Sequence, residues 1–383
     1  MQRKRARTAR MLCSLVLAGV ILWGVGATAQ AENASAALRA LRGSGEVSLA
    51  LIRMERGDTG LQALSAASSL ALRMTPLLRT QSAEIVQAWS SELTEPPDAA
   101  HDTQDDEGTL LSETAPPAEQ TVTENGVPSR TLKASDPAGY TVFGNVYINN
   151  GSSAALDETM LSADYDARLG AEGPQVLIIH THGTESYTMP AGEEYEPSDA
   201  FRTLDLSCNM VRIGDEMAQV LEEAGIGVVH DRSLYDYPSY SGAYDRSLAA
   251  IKVYLEQYPT ISFVLDVHRD AVQDAEGNQY KLLCGEDTGA AQLEFVIGSN
   301  GGGLSHERWR ENLKLACAVQ ETLYRGYPTL MRPIVVRSSR YNQQMTTGSL
   351  LVEVGTAGNS LAEAVNAARL FAAGFAETLQ NAQ

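Results

Sequence analysis

The sequence is poor in cysteine, in aromatic residues and in positive charge. Its 383 residues include four cysteines, and no two of them form a C-x-x-C pair. That pattern excludes a disulfide framework and a thiolate zinc site. Lysine and arginine together number 29, against 48 aspartate and glutamate residues, so the net charge is −19. Such an acidic chain is not expected to bind nucleic acid, which requires a basic surface.

Uncharged apolar runs are also scarce, and one of them lies close to the amino terminus. The run 11–27 follows a decapeptide with five basic residues. Basic residues before an apolar run keep the amino end in the cytoplasm, and about 17–25 residues are needed to cross a bilayer. We therefore predict a signal-anchor or transmembrane segment at 1–30, which makes the protein a single-pass protein of the cell membrane with its remainder extracytoplasmic. Small residues at 27–29 leave cleavage as a signal peptide open.

Two further segments precede the main domain. Residues 31–93 carry helical periodicity interrupted by glycines, which predicts a membrane-proximal helical stalk, with a partner-binding helix as the alternative. Residues 94–137 are rich in proline and acidic residues. Such a segment cannot bury enough apolar surface to offset its ordering entropy, so we predict a disordered linker.

Strands and helices alternate over residues 138–383, and this alternation predicts a catalytic α/β domain with three layers and a largely parallel sheet. The pattern predicts a strand pair within 140–148, strands at 176–179, 226–229, 261–267, 293–297, 334–337 and 349–354, and helices at 206–224, 243–257 and 305–325. A last helix begins at Ser360, which forms an S-x-x-E capping box with Glu363.

Polar side chains stand where several of these strands end. His180 and His182 follow the first buried strand in H-x-H spacing, and they point the same way if strand geometry persists through them. His268 follows a later strand, and Glu353 lies inside an apolar one, where an unpaired carboxylate is strongly disfavoured. Carboxyl ends of parallel strands share one edge of a sheet, so these four side chains are expected to converge. Each histidine alone is also compatible with a satisfied core residue.

The motifs at these strand ends together resemble the stage II sporulation protein P family. They are IHTHGTESY at 179–187, GIGVVHD at 225–231, LDVHRD at 265–270 and LVEVG at 351–355. The family is a membrane-anchored cell-wall hydrolase of endospore-forming bacteria, and it resembles the zinc-dependent N-acetylmuramoyl-L-alanine amidases. The resemblance implies an amidase-like fold and a peptidoglycan hydrolase that thins septal wall during engulfment. It also implies cleavage of peptide cross-links as a second activity. The partners that it implies are a lytic transglycosylase and a membrane protein.

The resemblance implies a Zn²⁺ site with two histidines, an acidic ligand and a nearby catalytic glutamate. Carried over to this sequence, His268 matches the second histidine and Glu353 the catalytic glutamate, which takes a proton from water and passes it to the leaving amine. The first histidine stays open between His180 and His182.

The remaining site residues are assigned less directly by the resemblance. Asp205 is expected to be the acidic ligand, with Glu185 as the alternative. Asp266 and Asp270 are expected to orient the ligating imidazole beside them, and Arg269 to stabilise oxyanion charge or to grip a peptide carboxylate. Two other functions stay open: an endopeptidase only, and a non-catalytic, membrane-anchored wall-binding scaffold.

Overall fold

The computed structural model describes residues 121–122, 126–157, 161, 164–170, 173–189, 194–273 and 278–382. The predicted anchor at 1–30 and stalk at 31–93 lie outside the described residues, as does most of the linker at 94–137. None of the helices in the described ranges combines the length and the apolar character that a bilayer crossing requires.

The described elements follow one another in an order close to the predicted one. They are β1 (Thr121–Val122), β2 (Pro128–Arg130), β3 (Thr141–Phe143), β4 (Val146–Asn150), β5 (Val176–Ile179), α1 (Met210–Glu223), β6 (Val228–His230), α2 (Ala243–Gln257), β7 (Phe263–Asp270), β8 (Lys281–Leu282), β9 (Leu293–Gly298), α3 (Trp309–Gly326), β10 (Ile334–Arg337), a 3-10 helix (Gln343–Met345), β11 (Gly348–Thr356) and α4 (Leu361–Asn381). Strands β1, β2 and β8 form a small separate sheet. Because β1 and β2 fall inside the predicted linker, ordered structure begins before residue 138.

The main sheet has eight strands in the order β3-β4-β10-β9-β11-β7-β5-β6. Strands β11, β7, β5 and β6 are mutually parallel. Strands β4, β10 and β9 are parallel to one another, but β9 is antiparallel to β11. Five of the seven strand pairings are parallel, in agreement with the predicted largely parallel sheet, and the β3–β4 and β9–β11 pairings are antiparallel. The antiparallel direction of β11 has a local reason. The connection from β10 to β11 contains only a single 3-10 turn, which is shorter than the helical crossover that joins two parallel strands.

Alternation along the strands separates two apolar cores. In β5, Val176 and Ile178 join the core that also contains residues of α1, α3 and α4. Leu177 and Ile179 join the second core, which contains Ile251 of α2. Since successive side chains of a strand point to opposite faces, the sheet is covered on both sides. The predicted three-layer α/β arrangement is confirmed.

Candidate functional site

The two histidines after β5 lie on opposite sides of the sheet. The strand ends at Ile179, and residues 181–184 form a turn. His180 keeps the strand alternation and faces α1, where a Cβ added to Gly214 would lie 2.5 Å from its Nε2 atom. His182 lies within the turn and faces the side covered by α2, next to His268 and Tyr244. The expectation that the two imidazoles point the same way is wrong, because strand geometry does not persist past Ile179.

His180 is held as a neutral residue in the core. Its Nδ1 atom lies 3.0 Å from the carbonyl oxygen of Val267, and its Nε2 atom lies 2.9 Å from Nε2 of His230. His230 in turn contacts Asp215 through Nδ1 at 3.1 Å. Burial, together with the neighbouring His230, lowers the pKa of His180 to about 3. Both of its ring nitrogens are therefore engaged in contacts with Val267 and His230.

His182 has the opposite character. The residue is only 2% exposed, and within the described part of the chain neither ring nitrogen has a hydrogen-bond partner. Burial lowers its pKa to about 3, so the imidazole is neutral, the form that binds metals. The ring stacks on Tyr240 at 4.5 Å and meets the edge of His268 at 5.2 Å. A buried polar group without a hydrogen-bond partner destabilises the folded state unless a bound ligand supplies that partner.

His268 lies beside His182 and is paired in register with Glu353. The two residues are directly opposite on β7 and β11, so their side chains share a face of the sheet. His268 Nδ1 lies 3.8 Å from Glu185 Oε2, and Nε2 lies 2.9 Å from Asp266 Oδ1. Burial opposes protonation of His268, but Asp266, Glu185 and Glu353 outweigh it and raise its pKa to about 10.

Glu185, the alternative acidic ligand, is the acid that lies with these histidines. It is 6% exposed, and its carboxylate lies 3.3 Å from Nη2 of Arg202 and accepts the backbone N–H of Arg269 at 3.3 Å. Burial opposes ionisation, but Arg269 and its other cationic neighbours hold the pKa of Glu185 below its usual value. Asp205 is exposed, and its carboxylate accepts the N–H and the hydroxyl of Ser207 at 2.9 and 2.7 Å. Glu185 therefore lies beside the histidines, whereas the carboxylate of Asp205 is held by Ser207.

Arg269 and Asp266 brace the turn that carries His182. The guanidinium of Arg269 donates to the carbonyl oxygens of Ser186 and Phe201, each at 3.0 Å. Asp266 accepts the N–H of Thr181 at 2.8 Å and its hydroxyl at 2.6 Å. Asp266 thus contacts the imidazole of His268, as predicted, and also fixes the turn through its hydrogen bonds with Thr181. The contacts of Arg269 with backbone carbonyls favour a structural role over contact with substrate.

Asp270 pairs with a residue that the sequence does not single out. Its Oδ2 atom lies 2.7 Å from Nη2 of Arg332, and Nη1 of Arg332 lies 3.4 Å from Glu294 Oε1. Glu294 is opposite Glu353 in the register of β9 and β11. Burial opposes the charge of Arg332, yet Glu294, Asp270 and Glu353 raise its pKa above the usual value. Glu294 lies in an apolar strand just as Glu353 does, and that signal could have revealed it.

The donors present fit a zinc ion by their chemistry. Among the residues that the structure describes, no three His, Cys, Asp or Glu side chains are arranged so as to hold a metal as they stand. His182, Glu185 and His268 nevertheless supply two imidazoles and one carboxylate, a set that zinc accepts. The ring nitrogens of His182 are buried and have no partner in the part of the chain that the structure describes, and a bound metal ion would explain this.

Comparison with known families adds a second line of information. The model of the family "Stage II sporulation protein P (SpoIIP)" matches residues 72–376. The chain belongs to the stage II sporulation protein P family. This membership confirms the resemblance drawn from the strand-end motifs. Stage II sporulation protein P of Bacillus subtilis (strain 168) is 28% identical over 221 residues, which cover 54% of this chain and 52% of that protein. The chain thus spans about half the length of this curated relative.

Solved structures similar to this family member include several amidases. The CwlD amidase from Clostridioides difficile, in complex with the GerS lipoprotein, is 15% identical, with 54% of this chain and 99% of that chain covered and a TM-score of 0.35. The N-acetylmuramyl-L-alanine amidase Ami1 from Mycobacterium smegmatis is 13% identical, with 56% and 100% covered and a TM-score of 0.35. Likenesses this weak carry no argument about the site.

Proposed function

We propose that this protein hydrolyses peptidoglycan during sporulation, at the amide between N-acetylmuramic acid and L-alanine of the stem peptide. The observation that carries the proposal is the cluster on the α2 face of the sheet. His182, whose two ring nitrogens have no partner among the described residues, lies beside His268 and Glu185 there, and Glu353 is in register with His268. Membership of the sporulation family supports the same substrate.

In this proposal His182, Glu185 and His268 would hold a zinc ion, which would supply Lewis-acid activation of water by lowering its pKa towards about 7. Asp266 stands beside Nε2 of His268 and steadies the ring, so that Nδ1 stays on the side of Glu185. Glu353, one strand away, accepts the water proton at its carboxylate and delivers it to the leaving amine nitrogen, a contribution of ~10²–10⁴ in rate.

We further propose that the domain acts outside the cell membrane. The apolar run at 11–27, preceded by basic residues, supports an anchor at 1–30. The family resemblance supports a lytic transglycosylase and a membrane protein of the engulfment complex as partners. Protease added to intact protoplasts should remove the domain, and a domain that stays protected until the membrane is lysed would contradict this placement.

The decisive experiment is digestion of purified cell wall by the full-length protein, with its zinc content measured. Wild type should free stem peptides that carry a new amino terminus on L-alanine. Glu353→Gln and His268→Ala should each lose at least about 100-fold in rate. Asp205→Asn is the matched control, because its carboxylate contacts only Ser207 among the hydrogen bonds described above, and it should stay within about twofold.

The products also distinguish the alternatives. Cut cross-links with intact muramyl-alanine amides would replace the amidase with an endopeptidase at the same site. A zinc-free protein that leaves the wall intact, even with a lytic transglycosylase added, would refute the enzyme proposal and favour the non-catalytic wall-binding scaffold.

A further inference from the structure

Two side chains outside the proposed metal ligands contact two of those ligands together. They are Arg202 and Tyr240, and neither was assigned a role from the sequence. We infer that they form a clamp, the Arg202–Tyr240 clamp, that positions His182 and Glu185 for the metal. The inference rests on the proposed function, because it assumes that these two residues are ligands.

Arg202 grips the segment that follows His182. Its Nη2 atom lies 3.3 Å from Oε1 of Glu185. Its Nη1 atom donates to the hydroxyl oxygen of Thr184 at 3.1 Å and to Oδ2 of Asp236 at 2.6 Å. The side chain is 19% exposed, so the contacts are screened only partly by water. A planar guanidinium that serves three acceptors fixes their relative positions in a way that a single amine does not.

Tyr240 connects the guanidinium to the imidazole. Arg202 lies over the tyrosine ring, with Cζ 4.9 Å from its centre. The same ring is stacked on His182, with 4.5 Å between centres and 6° between planes. Among the described residues no hydrogen bond fixes the imidazole, so its orientation depends on packing against other rings, chiefly Tyr240, His268 and Tyr244.

The clamp is fastened to both neighbouring loops. Asp236 has a fully buried side chain, and its carboxylate oxygens accept the N–H of Thr184 at 3.2 Å. Asp236 and Tyr240 both belong to the connection between β6 and α2. On the other side, Phe201 has a φ of +52°, a left-handed conformation that costs free energy, and its carbonyl oxygen accepts the N–H of Ser186 at 2.9 Å. Such strain persists only where surrounding contacts impose it.

The chemical consequence concerns metal affinity. A ligating carboxylate must be ionised and aimed, and a ligating imidazole must be rotated so that one nitrogen faces the metal. Residues that do this from outside the ligand set typically contribute 10–100-fold to metal affinity. We therefore expect the clamp to act on zinc binding itself and, through it, on catalysis.

The test uses the full-length protein and zinc alone as the probe, with affinity measured by competition against a chromophoric chelator. Arg202→Met and Tyr240→Leu should each bind zinc about 10–100-fold more weakly. The zinc affinity of Arg202→Lys should lie between theirs and that of wild type, because lysine keeps the charge but lacks the planar guanidinium with its several fixed donors. The control is Arg369→Met, which removes a half-exposed partner of Glu216 and should leave affinity within about twofold.

Two readouts separate positioning from a general loss of structure. Circular dichroism identifies any variant that fails to fold, a risk for Arg202→Met because it leaves Asp236 buried without its cation. Tyr240→Leu removes no charge and so supplies an independent test. With Co²⁺ as a substitute, the visible spectrum of folded Tyr240→Leu should change in shape as well as in the concentration at which it appears.

The outcomes distinguish this inference from the function on which it rests. Wild-type protein that binds no zinc would overturn both. If wild type binds zinc while folded Tyr240→Leu and Arg202→Lys bind it equally tightly with an unchanged Co²⁺ spectrum, the clamp is refuted and the metal site stands.

Discussion

Loss of the Arg332 side chain should destabilise the domain far more than loss of a surface arginine. Arg332 is 1% exposed and lies between Asp270 and Glu294, whose side chains are 13% and 9% exposed. Arg332→Met preserves much of the volume but removes the cation. Two largely buried carboxylates would then remain without their counter-charge, next to Glu353.

The magnitude follows from the two distances. At an effective dielectric constant of ~20, unit charges at 2.7 and 3.4 Å attract by about 6 and about 5 kcal/mol. Much of this attraction is offset by the cost of removing the ions from water. Breaking a buried pair by removing one partner typically costs about 3–5 kcal/mol, and we expect Arg332→Met to fall in that range.

Urea unfolding, followed by the fluorescence of the buried Trp309, measures the change in free energy. Arg369→Met is the matched control: its partner is Glu216 at 2.6 Å, but the arginine side chain is 52% exposed, so the loss should stay below about 1 kcal/mol. Arg332→Met combined with Asp270→Asn should recover part of the stability, because one uncompensated charge disappears. A loss below 1 kcal/mol for Arg332→Met, or equal losses for both arginines, would refute this reasoning.

Two further predictions test the face that carries α1 and the start of α3. Gly214→Ala should lower the free energy of unfolding by about 1–2 kcal/mol. The added Cβ would lie 2.4 Å from Nε2 of His230, and this overpacking outweighs the ~1 kcal/mol gained in helix propensity. The control is Gly326→Ala, which should not destabilise the protein because no described atom lies within 4 Å of its Cβ. Burial, helped by two arginines, lowers the pKa of His306 from 6.5 to about 4, so the unfolded chain takes up the proton first as the pH falls. The contribution of His306 to stability is therefore complete above about pH 6.5, and it falls by at most ~3 kcal/mol towards pH 4. His306→Gln should flatten that decline, and parallel pH profiles for the two proteins would contradict the assignment.

Local sequence patterns were sufficient for many of the elements. Apolar periodicity predicts α2 at Ala243–Gln257 and β10 at Ile334–Arg337 with the observed bounds. The capping box of Ser360 is present as predicted, because it depends on residues three apart in one turn. Helix α1 begins at Met210 rather than at 206, because the side chain of Asn209 accepts the N–H of Val211 and makes Asn209 the amino cap. Propensity alone does not distinguish such a cap from a first helical residue.

The candidate site was predictable where it depends on strand position. His268 and Glu353 occupy equivalent places on parallel neighbours, so the parallel pairing of β7 and β11 brings them together. The opposite placement of His180 and His182 was not predictable, since a turn begins at residue 181 and places the second imidazole on the other face. The position of Glu185 beside these histidines likewise depends on how the segment after that turn packs against the strand carrying Arg269.

The sequence by itself determined the α/β alternation, the polar residues at the strand ends and the family. Each of these is written in residue types and spacings of a few positions, which local backbone geometry converts directly into structure. Only the tertiary structure decided which face each side chain meets beyond a strand end, and which charges compensate each other. Arg332 and Asp270 are 62 positions apart, and Arg202 and Asp236 are 34 apart. Such pairs have no local signature, because their energy arises from burial and proximity that exist only once the layers have packed.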